Sequence, residues 1–285
     1  MYRAGSAIYR GRAVPLVWRV LDQPSTSVAY AIYQDLLDRA AQLLPLPVCR
    51  VVLLADRGFA DTKLMRHLDR LGWHWRIRIK RNFWVYRAGQ WRRKVKAICV
   101  AGGQARFFHD VAITEHQYGP VHLALARPGP GGSRTCWVVV SDEPTDLETF
   151  EEYGLRFDIE ENFLDDKSNG FQLESSEVRE AQALSRLCFV MAMTTLYLVS
   201  QGTEVVAQGK RRWVDPHWFR GSSYLKIGWN WIKRALMQGW ELITQVRLVG
   251  GADPEPARAS KPGGTGPPRL SFSSVEVTHY AWGVR

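Results

Sequence analysis

Apolar and polar residues alternate through the first twenty positions on either side of Arg10-Gly11-Arg12, and Val14, Leu16, Trp18 and Val20 share one parity. A period of two sends successive side chains to opposite faces, so the pattern predicts two short strands joined by a turn, with the chain opening inside a sheet. Residues 28–44 change to a helical period, behind the cap candidates Ser25, Thr26 and Ser27 and ahead of Pro45. The apolar run 51–54 suits a strand covered on both faces. Asp61 is placed to cap a helix that Gly72 closes, and residues 73–80 alternate again as a strand. Strand, strand, helix, strand, helix, strand is the order of an α/β layer fold.

Beyond residue 82 the texture changes to short β-like runs separated by Gly and Pro, which predicts a β-rich insertion reaching about residue 140. Helical patterns return over 145–167, where Thr145 and Glu148 have the spacing of a capping box, and over 176–199. The apolar run inside the second, 187–199, is too short to span a bilayer and reads as a buried helix. Residues 250–274 are rich in Pro and Gly and read as a disordered tail.

Charge sharpens this picture. A formal net charge of +10 points to a polyanionic partner, nucleic acid first and a membrane surface second, because Lys and Arg gain affinity by releasing the counterions of phosphates. Cys49, Cys99, Cys136 and Cys188 are scattered without C-x-x-C or paired-His spacing, which suggests neither a zinc site nor a disulfide framework and fits a reducing cytoplasm. Residues 76–96 hold nine basic residues and no acid, with Phe83, Trp84, Tyr86 and Trp91 interleaved. Arg76, Arg78 and Lys80 share one face of the alternating strand, a pattern suited to phosphate contacts with stacking on a distorted base, or to a charged edge strand that resists aggregation. A second basic, Trp-rich cluster lies at 210–213 and 226–234, and an amphipathic helix with Trp inward explains it equally well.

Against this basic background, residues 151–170 carry seven carboxylates. On a continuous helix at roughly 100° per residue, Tyr153, Arg156 and Lys167 fall within about 40° of Glu160, and Phe157, Phe163 and Leu164 flank them. Glu160 is thus expected on the buried side, where an unpaired carboxylate costs several kcal/mol and a cation on either side is needed. Glu151, Asp158, Glu161, Asp165 and Asp166 fall on the solvated side. A break at Gly154 would rotate Tyr153 out of line, and a buried ion cluster that only fixes helix register fits the same pattern. Asp56 ends the 51–55 strand, at the edge where open α/β sheets gather ligands, although Asp before a turn is also common. Carboxylates converging from a strand end and a helix can hold two Mg²⁺ ions about 4 Å apart for phosphodiester chemistry.

The spacing Tyr153-x2-Arg156-x3-Glu160-x6-Lys167 resembles the Y-R-E-K signature of bacterial insertion-sequence DDE transposases of the insertion-sequence family four group. Residues 55–59, Ala-Asp-Arg-Gly-Phe, resemble the block carrying that family's second catalytic Asp, and residues 11–21 resemble its early hairpin. The resemblance covers about residues 7–200 and is weakest in the β insertion. It implies an RNase H-like mixed sheet with helices, interrupted by a β-rich insertion: a first part of the catalytic core at 1–81, the insertion at 82–140, the remainder of the core with C-terminal helices at 141–249, and the tail at 250–285. Asp56 and Glu160 would be catalytic metal ligands for Mg²⁺, and Tyr153, Arg156 and Lys167 would position transposon-end phosphates. The reaction implied is cleavage and strand transfer of DNA, by a homodimer or a dimer with a full-length transposase, in the nucleoid of a bacterial cytoplasm.

In that family the first catalytic Asp lies on a strand before the hairpin, and Met1 falls after that point. Asp22, Asp35 and Asp38 are in the wrong places to replace it. The expectation is a partial copy with little or no strand-transfer activity. The alternatives are a noncatalytic DNA-binding or dimerising fragment that interferes with full-length transposase, and an RNase H-like nuclease unrelated to transposition.

Overall fold

The computed structural model describes residues 2–21, 30–44, 49–87, 91–128, 135–164, 171, 173–178, 180–257 and 272–278. They fall into two compact units: Met1–Val28 with Phe157–Gly266, and Ala29–Arg156 with Pro267–Arg285.

In the first unit, β1 (Tyr2–Tyr9) and β2 (Arg12–Val20) pair as an antiparallel hairpin. Arg10 and Gly11 both have positive φ, 47° and 83°, the mirror-image turn whose twist matches that of the two strands. The hairpin is a two-stranded sheet of its own, whereas the sequence pattern placed the chain's start within the larger sheet. Its pairing slips between Gly5 and Ser6, opposite Val17 and Pro15, so Leu16 is the extra residue of a bulge. The bulge resets the alternation: Ala13, Val14 and Val17 are buried, and Leu16 and Trp18 are only half-buried. This face rests against α5 (Phe157–Leu164) and α6 (Ala181–Ala207).

Helix α6 is capped by Glu180, whose carboxylate accepts from the backbone N–H groups of Gln182 and Ala183. It extends beyond the apolar run 187–199 and is long and apolar enough to cross a bilayer, a test that a buried core helix also passes. Its last turns are instead packed inside the protein on α7 (Tyr224–Gln238), in a cluster of Val199, Val205, Val206, Tyr224, Ile227 and Trp231. Gly202 and Gly228 set the approach of these helices: a Cβ on either would lie 1.9 Å from a carbonyl oxygen, of Tyr224 and Leu198 respectively. The basic, Trp-rich cluster follows the amphipathic reading only in part: Trp231 is buried and Lys226 and Lys233 are exposed, but Trp213 and Trp229 are exposed as well. Arg211 is buried and donates to Glu255 and to the carbonyls of Asp215 and His217.

The second unit contains α1 (Tyr30–Leu43), α2 (Thr62–Arg70), α3 (Val95–Ile98) and α4 (Glu148–Gly154). Its strands are β3 (Val52–Ala55), β4 (His74–Arg78), β5 (Trp84–Arg87), β6 (Trp91–Lys94), β7 (Gln104–Ile113), β8 (Tyr118–Arg127), β9 (Trp137–Ser141) and β10 (Ser274–Thr278). They form one eight-stranded mixed sheet in the order β3-β4-β9-β8-β7-β5-β6, with β10 beside β7. The pairs β3/β4 and β10/β7 are parallel and the rest antiparallel. Mixed sheet and helices give the α/β class expected of an RNase H-like fold. Asp61 caps α2 by accepting from Lys63 N–H at 2.8 Å, and Gly72 follows the helix at φ 68°.

Two observations bear on the boundaries expected from sequence. Strand β9, at the end of the expected insertion, pairs with both β4 and β8 and so runs through the middle of the sheet. Within the expected tail, β10 pairs with the first half of β7, with Arg106 bonded to Glu276 at 2.8 Å and Ser273 N–H donating to the Gly103 carbonyl at 2.7 Å.

Candidate active site

Strand β3 delivers Asp56 at its carboxyl end. The following residues, Arg57–Phe59, wind into a 3-10 turn closed by Phe59 N–H donating to the Asp56 carbonyl at 2.8 Å. Asp56 stands at the N-cap of this turn, but its side chain makes no capping hydrogen bond. Its carboxylate is thus not consumed by the local turn, the role most Asp residues at such positions fill.

The register of β3 and β4, with Ala55 opposite Ile77, brings Arg78 level with Asp56. The Arg78 guanidinium lies 5.9 Å from the Trp137 ring, at the start of β9. Trp137 meets Tyr153 edge to face at 6.2 Å, and the Arg156 guanidinium lies 5.8 Å from the Tyr153 ring. Tyr153 is 1% exposed. Burial pushes its phenol above the ordinary value of 10.0; Asp56 adds to the rise, and Arg156 and Arg78 oppose it. The hydroxyl therefore stays protonated near neutrality, a donor and not an anion.

Helix α4 carries Tyr153 into place. Its capping box lies one residue later than the sequence spacing suggested: Thr149 N–H donates to Asp146 Oδ1 at 3.1 Å and Asp146 N–H to Thr149 Oγ1 at 3.0 Å. Phe150 and Tyr153, three apart, share its buried face. The expected continuous helix over 145–167 is broken at Leu155 and Arg156, and α5 starts at Phe157. Gly154 itself stays helical and buried; the break falls just after it.

That break overturns the inward placement of Glu160. The angular construction holds only along one axis, and α5 has its own, on which Glu160 is exposed. Asp56, Arg78, Tyr153 and Arg156 belong to one unit and Glu160 to the other. Lys167 lies outside the described residues.

Arg76 also departs from its expected role as a phosphate contact. Strand β4 is covered on both faces in its middle, so Arg76 is 4% exposed. It donates to Glu152 at 3.0 Å, Ser141 Oγ at 2.9 Å and Glu143 at 2.8 Å. These bonds tie α4 to the sheet beside Tyr153. Lys80, past the strand's end, is exposed.

On the β5/β6 hairpin, Arg92 covers Trp84 at 3.9 Å and Lys94 lies 4.9 Å from the same ring, while Arg93 lies 5.6 Å from Trp91. Arg92 and Arg93 are exposed on this last strand of the sheet. Their charge is presented outward with the rings beneath it.

Trp137 and Glu152 were not identifiable as partners of this site from sequence; their neighbours Tyr153, Arg78 and Arg76 lie far off or on other elements. No curated protein matches the sequence. A family model described as a transposase DDE domain matches residues 8–197, two-thirds of the chain, spanning Asp56, Arg78, Tyr153, Arg156 and Glu160. The chain belongs to the DDE transposase family.

Proposed function

We propose that this chain acts in DNA transposition of the insertion-sequence family four type, by Mg²⁺-dependent cleavage and strand transfer at transposon ends. The observation that carries the reading is the gathering of Asp56, Arg78, Tyr153 and Arg156 at the carboxyl end of β3. Arg78 and Arg156 supply charge-assisted hydrogen bonds to phosphate oxygens, and Tyr153, buried beside Arg156, holds that guanidinium in place. Tyr153 is accordingly a positioning group and not a nucleophile. Lys167 and Lys80 extend the phosphate contacts.

Asp56 and Glu160 are the proposed Mg²⁺ ligands. An oxygen donor at a strand end, with no capping bond to break, fits a hard cation. Bound Mg²⁺ supplies Lewis-acid stabilisation to the phosphodiester. The test uses the genomic DNA flanking the coding sequence and the intact chain. Nicking in Mg²⁺ is expected, and Asp56→Ala or Glu160→Ala should abolish it. Cleavage that survives both substitutions sinks the assignment.

A second reading, a noncatalytic DNA-binding or dimerising protein that interferes with a full-length transposase, is favoured by the exposed cations Arg92 and Arg93 on β6. It expects salt-sensitive DNA binding without nicking in Mg²⁺.

A further inference from the structure

The end of the sheet away from Asp56 carries a group that the transposase reading does not use. His74 opens β4, and Asp142 and Glu143 follow β9, which runs antiparallel beside it. The three present ligand atoms that all lie within 4.8 Å of one another. His74 Nδ1 is 2.6 Å from Asp142 Oδ2 and 3.5 Å from Glu143 Oε1.

The other oxygen of each carboxylate is fixed from outside the group. Asp142 Oδ1 accepts from the Trp75 backbone N–H at 2.8 Å. Glu143 Oε2 accepts from Arg50 at 2.6 Å and Arg76 at 2.8 Å. Each acid is therefore anchored through one oxygen and turns its second oxygen toward the same imidazole nitrogen. Ligands of metal ions are typically held in this way by outer hydrogen bonds that set their direction.

We propose that His74, Asp142 and Glu143 form a binding site for a divalent transition ion, of the Zn²⁺ or Mn²⁺ class, that is structural and separate from the catalytic ions. One imidazole nitrogen with two carboxylate oxygens is a donor set suited to these ions, whereas Mg²⁺ favours oxygen alone. Metal–ligand bonds near 2.1 Å separate tetrahedral ligand atoms by roughly 3.4 Å. The Glu143 spacing already has that value, and the Asp142 spacing reaches it by a small opening. The three side chains are 35%, 21% and 29% exposed, so water has access to complete the shell. Arg50 and Arg76 offset part of the acidic charge, but they bind the far oxygens, Arg50 and Arg76 on Glu143 Oε2 and Arg76 also 3.6 Å from Asp142 Oδ1, and Glu152 in turn offsets them. Because His74 pairs with Val52, the site lies four strand residues from Asp56, roughly 13 Å along the sheet.

The ion would take the place of the proton that His74 otherwise shares with the two acids, and so clasp the start of β4 to the end of β9. The experiment is a Co²⁺ titration of the metal-free full chain carrying Cys49→Ser, which removes the exposed thiol as a competing ligand. Visible d–d absorption saturating at one ion per chain is expected, displaced by Zn²⁺, with the melting temperature raised by several degrees. His74→Gln and Glu143→Gln should each lose the band, and Asp56→Asn should keep it. Circular dichroism of each variant reports its folding; if His74→Gln does not fold, Glu143→Gln decides. No band in the parent chain, a band that survives in the folded variants, or a band lost with Asp56→Asn overturns the proposal. A Zn²⁺-insensitive melt means that the three residues are an ordinary ion pair and also overturns it.

Discussion

Replacing Arg76 with Met separates a structural cation from a DNA contact. Met retains much of the aliphatic stem and removes the guanidinium, leaving Glu152 with Arg50 at 3.8 Å in place of its 3.0 Å partner and Glu143 with Arg50 and His74. Breaking a buried pair from one side costs about 3–5 kcal/mol. The Arg76 side chain is buried, but those of Glu143 and Glu152 are 29% and 36% exposed and keep part of their hydration, which lowers the cost to about 2–3 kcal/mol. For a unit of this size that is a fall of about 5–10 °C in melting temperature. The near-UV dichroism of buried Trp75, the adjacent residue, reports on this unit during a thermal melt. Adding Glu152→Gln removes the carboxylate left with only the longer Arg50 contact and should recover about 1 kcal/mol, a coupling that a double-mutant cycle measures. The pH dependence carries the same signature. Burial raises the Glu143 pKa, but the hydrogen bonds of Arg76 and Arg50 and the charges of Arg76 and His74 outweigh it and hold the carboxyl below its ordinary 4.5. A folded pKa below the unfolded one gives stability that is present above pH 4.5 and lost as pH falls through the folded value. Acid melts of the parent should therefore steepen below pH 4.5, and those of Arg76→Met should be flatter. An Arg76→Met chain that melts within 1 °C of the parent while binding DNA more weakly would refute this reasoning.

Gly202→Ala and Gly228→Ala each drive a Cβ into a carbonyl oxygen at 1.9 Å, which no side-chain rotation relieves; about 3 kcal/mol of stability should be lost, read by urea denaturation. Asp61→Ala removes the cap of α2 and should cost about 1 kcal/mol, measured the same way. Arg78→Ala and Lys80→Ala should each lower DNA affinity at 0.1 M salt and reduce the slope of log K against log salt by about 0.9, with little change in melting temperature; an unchanged slope removes that residue from the phosphate contacts.

What was legible in the sequence follows the range of the forces involved. Asp61 and Gly72 mark the ends of α2 because caps act within a few residues. The 3-10 turn after β3 puts Asp56 at a strand end for the same local reason. The bulge at Leu16 could not be seen, since it arises from pairing with the partner strand and leaves no composition signal. Arg76 looked like its neighbours Arg78 and Lys80 because the acids that neutralise it, Glu143 and Glu152, lie near residue 150 in the chain. The angular argument for Glu160 failed at Leu155 and Arg156, where one helical axis ends and another starts. Gly154 hinted at that break, but its own helical backbone shows that glycine signals a tolerance for interruption and not its position.

Strand β10 has a consequence for how this sheet is made. Strand β5 covers the second half of the β7 edge, and β10 covers the first half with residues 274–278. During synthesis the strands β3 to β9 leave the ribosome well before that covering segment, so the first half of β7 waits with open backbone donors and acceptors. An open edge is a template for any extended chain nearby. Residues 274–278, made well after the strands they cover, are thus those that close this half of the β7 edge against self-association, and a chain released before they are made leaves it bare.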